Sequence, residues 1–168
     1  MEFDIVQYFI ASFISMCFSL VVALLAIKYD KHIKIKKIKK SFLIELTLNF
    51  RRIQEITNSL ESYLDLFSDD EEVNSIEMLS LIYLHTYSFY ELVHEGVLTE
   101  LPHELQEKII DIYHGIEHYN DVVRLIKQRK TSDLSILDYL LEDLSKYKDK
   151  IQQEIIPELI KYWKIKPA

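Results

Sequence analysis

Residues 5–27, IVQYFIASFISMCFSLVVALLAI, form a run of 23 side chains without a charge, a glycine or a proline. As an α-helix such a run is about 34 Å long, close to the ~30 Å hydrocarbon layer of a bilayer. It predicts one transmembrane helix near the N-terminus. A cleaved signal peptide fits less well, because the residues ahead of the run are acidic (Glu2, Asp4) and no small-x-small cleavage site precedes the lysines that follow it.

Those lysines are Lys28, Lys31, Lys34, Lys36, Lys37, Lys39 and Lys40, set against the single acid Asp30. Lysine-rich flanks stay on the cytoplasmic side, so the expectation is a single-pass cell-membrane protein with its N-terminus outside and its remaining chain in the cytoplasm. The seven lysines are also expected to touch anionic lipid headgroups, with Ile33, Ile35 and Ile38 dipping into the interface; a role as topology determinant alone is the simpler alternative. Within the span, Ala11, Ser15, Ser19 and Ala23 recur every four residues and line one ridge. Small ridges let helix backbones approach closely in lipid, so self-association into a homo-oligomer is expected along this one.

The layout is read as three parts: an N-terminal tail and span (1–27), a lysine-rich juxtamembrane segment (28–40) and a cytoplasmic helical domain (41–168). With only 2 Gly and 3 Pro in 168 residues, long helices and few turns are expected, and the class is all-α. The formal charge of −7 becomes −11 for residues 41–168 once the −2 of Glu2 and Asp4 and the +6 of the lysine segment are removed. An acidic domain repels phosphate backbones, so no nucleic-acid partner is expected. The single cysteine, Cys17, excludes an intramolecular disulfide and a cysteine-based zinc site.

Beyond residue 40 the apolar spacing predicts an antiparallel four-helix bundle. Leu43, Leu46, Phe50, Ile53, Leu60 and Leu64, with Thr57 filling the gap and Phe67 at the end, mark the inner face of the first helix. The acidic cluster Ser68-Asp-Asp-Glu-Glu72 reads as a turn. Residues 74–95, rich in Leu, Ile, Tyr and Phe (Leu79, Leu81, Ile82, Tyr83, Leu84, Tyr87, Phe89, Tyr90, Leu92), read as the most enclosed helix. Gly96 should cap it in the left-handed conformation, with Val97 folding back. Pro102 suits the first turn of a third helix buried through Leu105, Ile109, Ile112, Ile116, Val123 and Ile126. After a turn at residues 128–133, Leu137, Leu140, Leu144, Ile151 and Ile155 define a fourth helix that Pro157 should kink or end, and the tail to Trp163 packs back.

One motif suggests chemistry. His114-Gly-Ile-Glu117-His118 matches the H-x-x-E-H of inverted zinc peptidases, in which two histidines hold the metal and the glutamate activates water. Both histidines, however, project away from the buried stripe of their own helix, next to Asp111 and Asp121, so a solvated face is expected and a metal site is the rival reading. Di-iron bundles need Glu-x-x-His on two helices. Glu91-Leu-Val-His94 supplies one, while Glu100 to His103 is interrupted by Pro102 and Asp111-Ile-Tyr-His114 lies on the wet face. Two isolated glycines cannot build a phosphate loop. No catalytic residue, metal or cofactor is therefore assigned.

One transmembrane helix, a lysine-rich junction and a four-helix cytoplasmic bundle resemble in layout the small one-pass membrane proteins of bacterial defence systems, including the CRISPR-associated membrane accessory protein with a HEPN-like domain. The stretch from Gly96 to Leu105 and the pattern Tyr113-x-x-Ile116-x-x-x-Asn120 are similar to segments of small one-pass membrane proteins. HEPN ribonucleases carry Arg followed four to six residues later by His. None of Arg51, Arg52, Arg124 and Arg129 has such a His, so the resemblance implies a domain without the nuclease site. The expected function is that of a non-enzymatic, self-associating membrane protein whose bundle binds its own copies or a cytoplasmic protein partner. An oligomeric pore of the antiviral-defence type is the alternative, and a metal-binding bundle is the more distant one.

Overall fold

The computed structural model describes residues 2–66, 82–128 and 135–165, without the side chains of 2–6, 63–66 and 135–138. Among the described residues five α-helices occur in order: α1 (Glu2–Leu66), α2 (Tyr87–His94), α3 (His103–Lys127), α4 (Ser135–Asp149) and α5 (Ile156–Trp163). A 3-10 turn at Leu98–Glu100 precedes α3, and a π-helical stretch at Lys150–Ile155 joins α4 to α5. No strand is present among the described residues. The chain divides into two compact units, Met1–Lys37 and Ile38–Ala168.

The described residues of the first unit are helix alone. Its 65-residue parent element α1 contains neither glycine nor proline, so nothing in its sequence interrupts the hydrogen-bond ladder. It is the one helix among the described residues that is long and apolar enough to cross a membrane. Every described side chain from residue 7 to residue 32 is exposed, unlike the buried core helix of a globular protein.

In the second unit the buried face of α1 is Ile38, Phe42, Leu46, Ile53, Ile56 and Leu60, with Glu45, Asn49 and Thr57 among them. Thr57 thus fills the gap as expected. Phe50 and Leu43, assigned to the core from their spacing, are only half-buried, and the buried position is Asn49, at 0% exposure. Ile38 is likewise packed inside this unit at 2% exposure and is not available to a lipid interface. Leu64 and Phe67, and the expected turn at residues 68–72, lie outside the described side chains.

The third expected helix is found as α3, with Leu105, Ile109, Ile112, Ile116, Val123 and Ile126 all buried. Pro102 sits one position ahead of the first turn, at the N-cap, where its carbonyl accepts the Leu105 and Gln106 amides at 3.0 Å each. Leu140, Leu144, Ile151 and Ile155 are buried as their spacing predicts; Leu137 and most of the expected turn at 128–133 lie outside the described side chains. Pro157 does not end the last helix. The chain takes wide π turns just upstream and continues as α5. Proline's missing N–H and its ring clash with the carbonyl four residues back are absorbed by that local widening. Trp163 then packs edge-on against Phe42 at 6.1 Å, and the Tyr162 hydroxyl donates to the Glu100 carbonyl at 2.6 Å.

Gly115, the glycine inside the zinc-like motif, has a packing role: a Cβ there would run into the ring of Tyr147. Further along, α3 is tied to the π-helical stretch by Lys150 on Asp111 at 2.8 Å and by Lys108, which reaches Glu154 there at 3.0 Å, Glu158 of α5 at 3.8 Å and Glu104 of its own helix at 3.2 Å.

Candidate interaction face

The largest departure from expectation is at residues 82–94. Of the helix expected over 74–95, residues 82–86 are in no regular secondary structure and α2 begins only at Tyr87; residues 74–81, Leu79 and Leu81 among them, lie outside the described residues. A segment without helix or strand inside a helical unit has no ladder of its own, so its backbone groups need partners from elsewhere. Side chains of α1 and α3 supply them.

Asn49 makes a paired contact with the backbone of His85: it accepts the N–H at 2.8 Å and donates to the C=O at 2.7 Å. Asn120 does the same for Leu84, accepting at 2.8 Å and donating at 3.0 Å. Each carboxamide thus reproduces the two bonds that a neighbouring strand would make. Arg52 donates to the Tyr83 carbonyl at 2.9 Å and the Tyr119 hydroxyl to the Ile82 carbonyl at 3.2 Å. Leu84 is the one apolar side chain of residues 82–86 that is buried.

Glu45 then fixes the start of α2. The N-cap residue Thr86 makes no side-chain capping bond. The buried Glu45 carboxylate, at 5% exposure, instead accepts the amides of Ser88 at 2.7 Å and Phe89 at 3.2 Å, plus the Tyr113 hydroxyl at 2.7 Å. A buried carboxylate is tolerated only when its lone pairs are met, and here two of the donors are helix N-terminal amides that carry partial positive charge. Tyr113 is stacked between Phe89 at 4.1 Å and Phe42 at 5.7 Å. Burial first, then the Glu45 charge and hydrogen bond, push its phenol far above the ordinary tyrosine range.

At the far end Gly96, at φ +70°, closes α2 in the expected way. Val97 donates to Leu92 and Gly96 to Val93, both at 3.0 Å, and Val97 is buried. Both ends of α2 are therefore pinned. Its inner side is Ser88, Phe89 and Leu92. Its outer side presents Tyr87 at 78% exposure, Tyr90 at 53% and the half-exposed Val93, beside an exposed Tyr83 whose ring lies 4.6 Å beneath the Lys127 ammonium. The expected enclosure of Ile82, Tyr83, Tyr87 and Tyr90 is thus reversed, because the backbone of this segment, more than its side chains, is what the core holds.

The residues singled out from sequence fall as follows. Ala11, Ser15, Ser19 and Ala23 are exposed on α1, with the Ser19 hydroxyl bonded back to the Ser15 carbonyl at 2.9 Å. Lys28, Lys31, Lys34, Lys36, Lys37 and Lys40 are exposed. Lys39 is turned into the second unit, 3.0 Å from Glu100 and 5.6 Å from the Trp163 ring centroid. His114 and His118 are exposed, and no cluster of three or more metal-ligating side chains occurs among the described residues. Glu45, Asn49, Arg52 and Asn120 were missed. A signal existed: three polar residues at 45, 49 and 52 follow the helical period of a buried stripe. No family model, curated protein or solved structure matches the chain.

Proposed function

We propose that this chain is a non-enzymatic, single-pass membrane protein whose second unit works by protein–protein contact, the partner being a second copy of itself. The carrying observation is the outward aromatic side of α2. A short helix held at both ends by Glu45 and Gly96 shows solvent two tyrosines, a residue type enriched at interfaces. Tyr87 and Tyr90, 78% and 53% exposed, together offer about 250 Å². A stable soluble dimer needs roughly 800 Å² per partner, so this face gives a weak contact. Anchoring in a bilayer supplies what area does not, because copies on one membrane meet at high effective concentration. The exposed small ridge of the span, Ala11 to Ala23, favours the same partner.

In this reading the N-terminus is outside, the second unit is cytoplasmic, and that unit is an up-and-down bundle whose second leg is residues 82–100. Support for the alternating sense comes from the pairings Gly115 with Tyr147, Asp111 with Lys150 and Lys108 with Glu158, in which one helix ascends as the other descends. A photo-crosslinking residue placed at position 87 or 90 of the full chain in proteoliposomes should yield a dimer-sized adduct, and one at exposed position 118 should not. Equal adducts at all three positions, or none, would refute the α2 contact.

A further inference from the structure

We infer that Lys28, Lys31, Lys36 and Lys37 form a collar around the emerging helix that selects anionic phospholipid headgroups as its neighbours. The inference rests on the reading of residues 5–27 as a bilayer span. The structure separates these lysines from the other members of the basic run: Lys39 is committed to Glu100 and Trp163, Lys40 belongs to the second unit, and Lys34 already has a contact of its own. The four that remain are exposed.

Their arrangement distinguishes a collar from a helix lying flat on the membrane. At about 100° per residue, Lys31, Lys36 and Lys37 fall roughly 300°, 80° and 180° around the axis from Lys28. Charge points in every direction, where a flat amphipathic helix needs it on one side. The isoleucines that would mark the apolar side of such a helix are also scattered, and Ile38 is packed in the core of the second unit. A helix crossing the bilayer, by contrast, is surrounded by lipid on all sides.

Height along the axis sets the strength of each contact. With a rise of about 1.5 Å per residue beyond Ile27, Lys28 and Lys31 lie about 1.5 and 6 Å above the hydrocarbon edge, and Lys36 and Lys37 about 13–15 Å. The headgroup layer is roughly 5–8 Å thick and the Debye length at physiological salt about 8 Å. Lys28 and Lys31 therefore sit among the phosphates, and Lys36 and Lys37 act across one screening length. Both pairs attract anionic lipid, but the upper pair does so in a salt-sensitive way. Asp30 is the one acid within 28–37 and opposes them.

The test uses the full chain in nanodiscs of equal phosphatidylglycerol and phosphatidylcholine, with spin-labelled forms of each lipid reporting which is immobilised at the protein. A lysine near the surface is worth about a fivefold preference, so phosphatidylglycerol should be favoured at least about threefold averaged over the lipid shell. The variant K28Q/K31Q/K36Q/K37Q should lose the preference, the matching four-arginine variant should keep it, and K39Q/K40Q should leave it unchanged. Raising salt should remove the share of Lys36 and Lys37 first. Equal association of the two lipids with the native chain, an unchanged preference in the glutamine variant, or its loss in the arginine variant would each overturn the collar. A chain that does not enter the discs would overturn the span itself, an outcome separate from a chain that enters without lipid preference.

Discussion

Replacing Asn49 with leucine tests whether residues 82–86 are held by side-chain amides. Asn49 is fully buried and makes two bonds to the His85 backbone, at 2.7 and 2.8 Å. Each bond contributes about 1 kcal/mol net, and stranding a buried backbone group costs about 1–3 kcal/mol. Water reaches the exposed side of residue 85 and recovers part of that loss, and the leucine methyls regain up to ~1 kcal/mol by burial. The expected net loss is about 2 kcal/mol, a fall in Tm of about 5–10 °C for a unit of this size. Asn120→Leu should cost a similar amount through Leu84. Because both amides hold one segment, the double variant should lose less than the sum, with a coupling of about 0.5–1 kcal/mol. Thermal unfolding followed by circular dichroism in detergent gives the energies, and amide hydrogen exchange at Leu84 and His85 gives the location. A loss below about 0.5 kcal/mol, the range of ordinary surface changes, or unchanged exchange at both amides would refute the clamp.

Three further outcomes are expected. Gly115→Ala should destabilise by about 1–2 kcal/mol despite alanine's better helix propensity, because its Cβ meets the Tyr147 ring; adding Tyr147→Leu should restore most of the loss in the same melting assay. Lys164→Gly should stabilise by about 0.5–1 kcal/mol, since Lys164 closes α5 in the left-handed region at φ 51°, which glycine enters without strain. Burial, aided for Tyr113 by Glu45, raises the folded-state pKa of Tyr113 and Tyr119 above the ordinary value of 10.0, so stability is full below pH 10 and falls as pH rises beyond it; ultraviolet titration should find both phenols ionising only as the unit unfolds, and ionisation of all tyrosines near pH 10 with the fold intact would contradict their burial.

How much of this was legible in the sequence depended on where each residue's partners lie. The buried stripe of α3, from Leu105 to Ile126, was readable because a 25-residue helix repeats its period many times. The Gly96 cap and the 23-residue apolar run were readable because their causes are local. Residues 82–86 were not, since their composition suits a buried helix and their irregular path is held by Asn49, 36 positions upstream of His85, and Asn120, 36 positions downstream of Leu84. The spacing alone puts Phe50 in the core, because apolar residues usually occupy it. The position is Asn49's instead, since the non-helical backbone at His85 needs an amide. The outward tyrosines of α2 follow from the same cause and were hidden with it.

The central claim, that copies meet on a membrane through the outward side of α2, is tested most directly by energy transfer between donor- and acceptor-tagged copies, fused after Ala168, in one population of liposomes. Transfer should persist on lipid dilution beyond what random proximity gives. It should drop to the random level in Tyr87→Arg/Tyr90→Arg, and remain unchanged in Tyr139→Arg, which alters an equally exposed tyrosine on α4. Transfer that follows random proximity in the native chain, or that survives the double substitution on α2, would contradict the account.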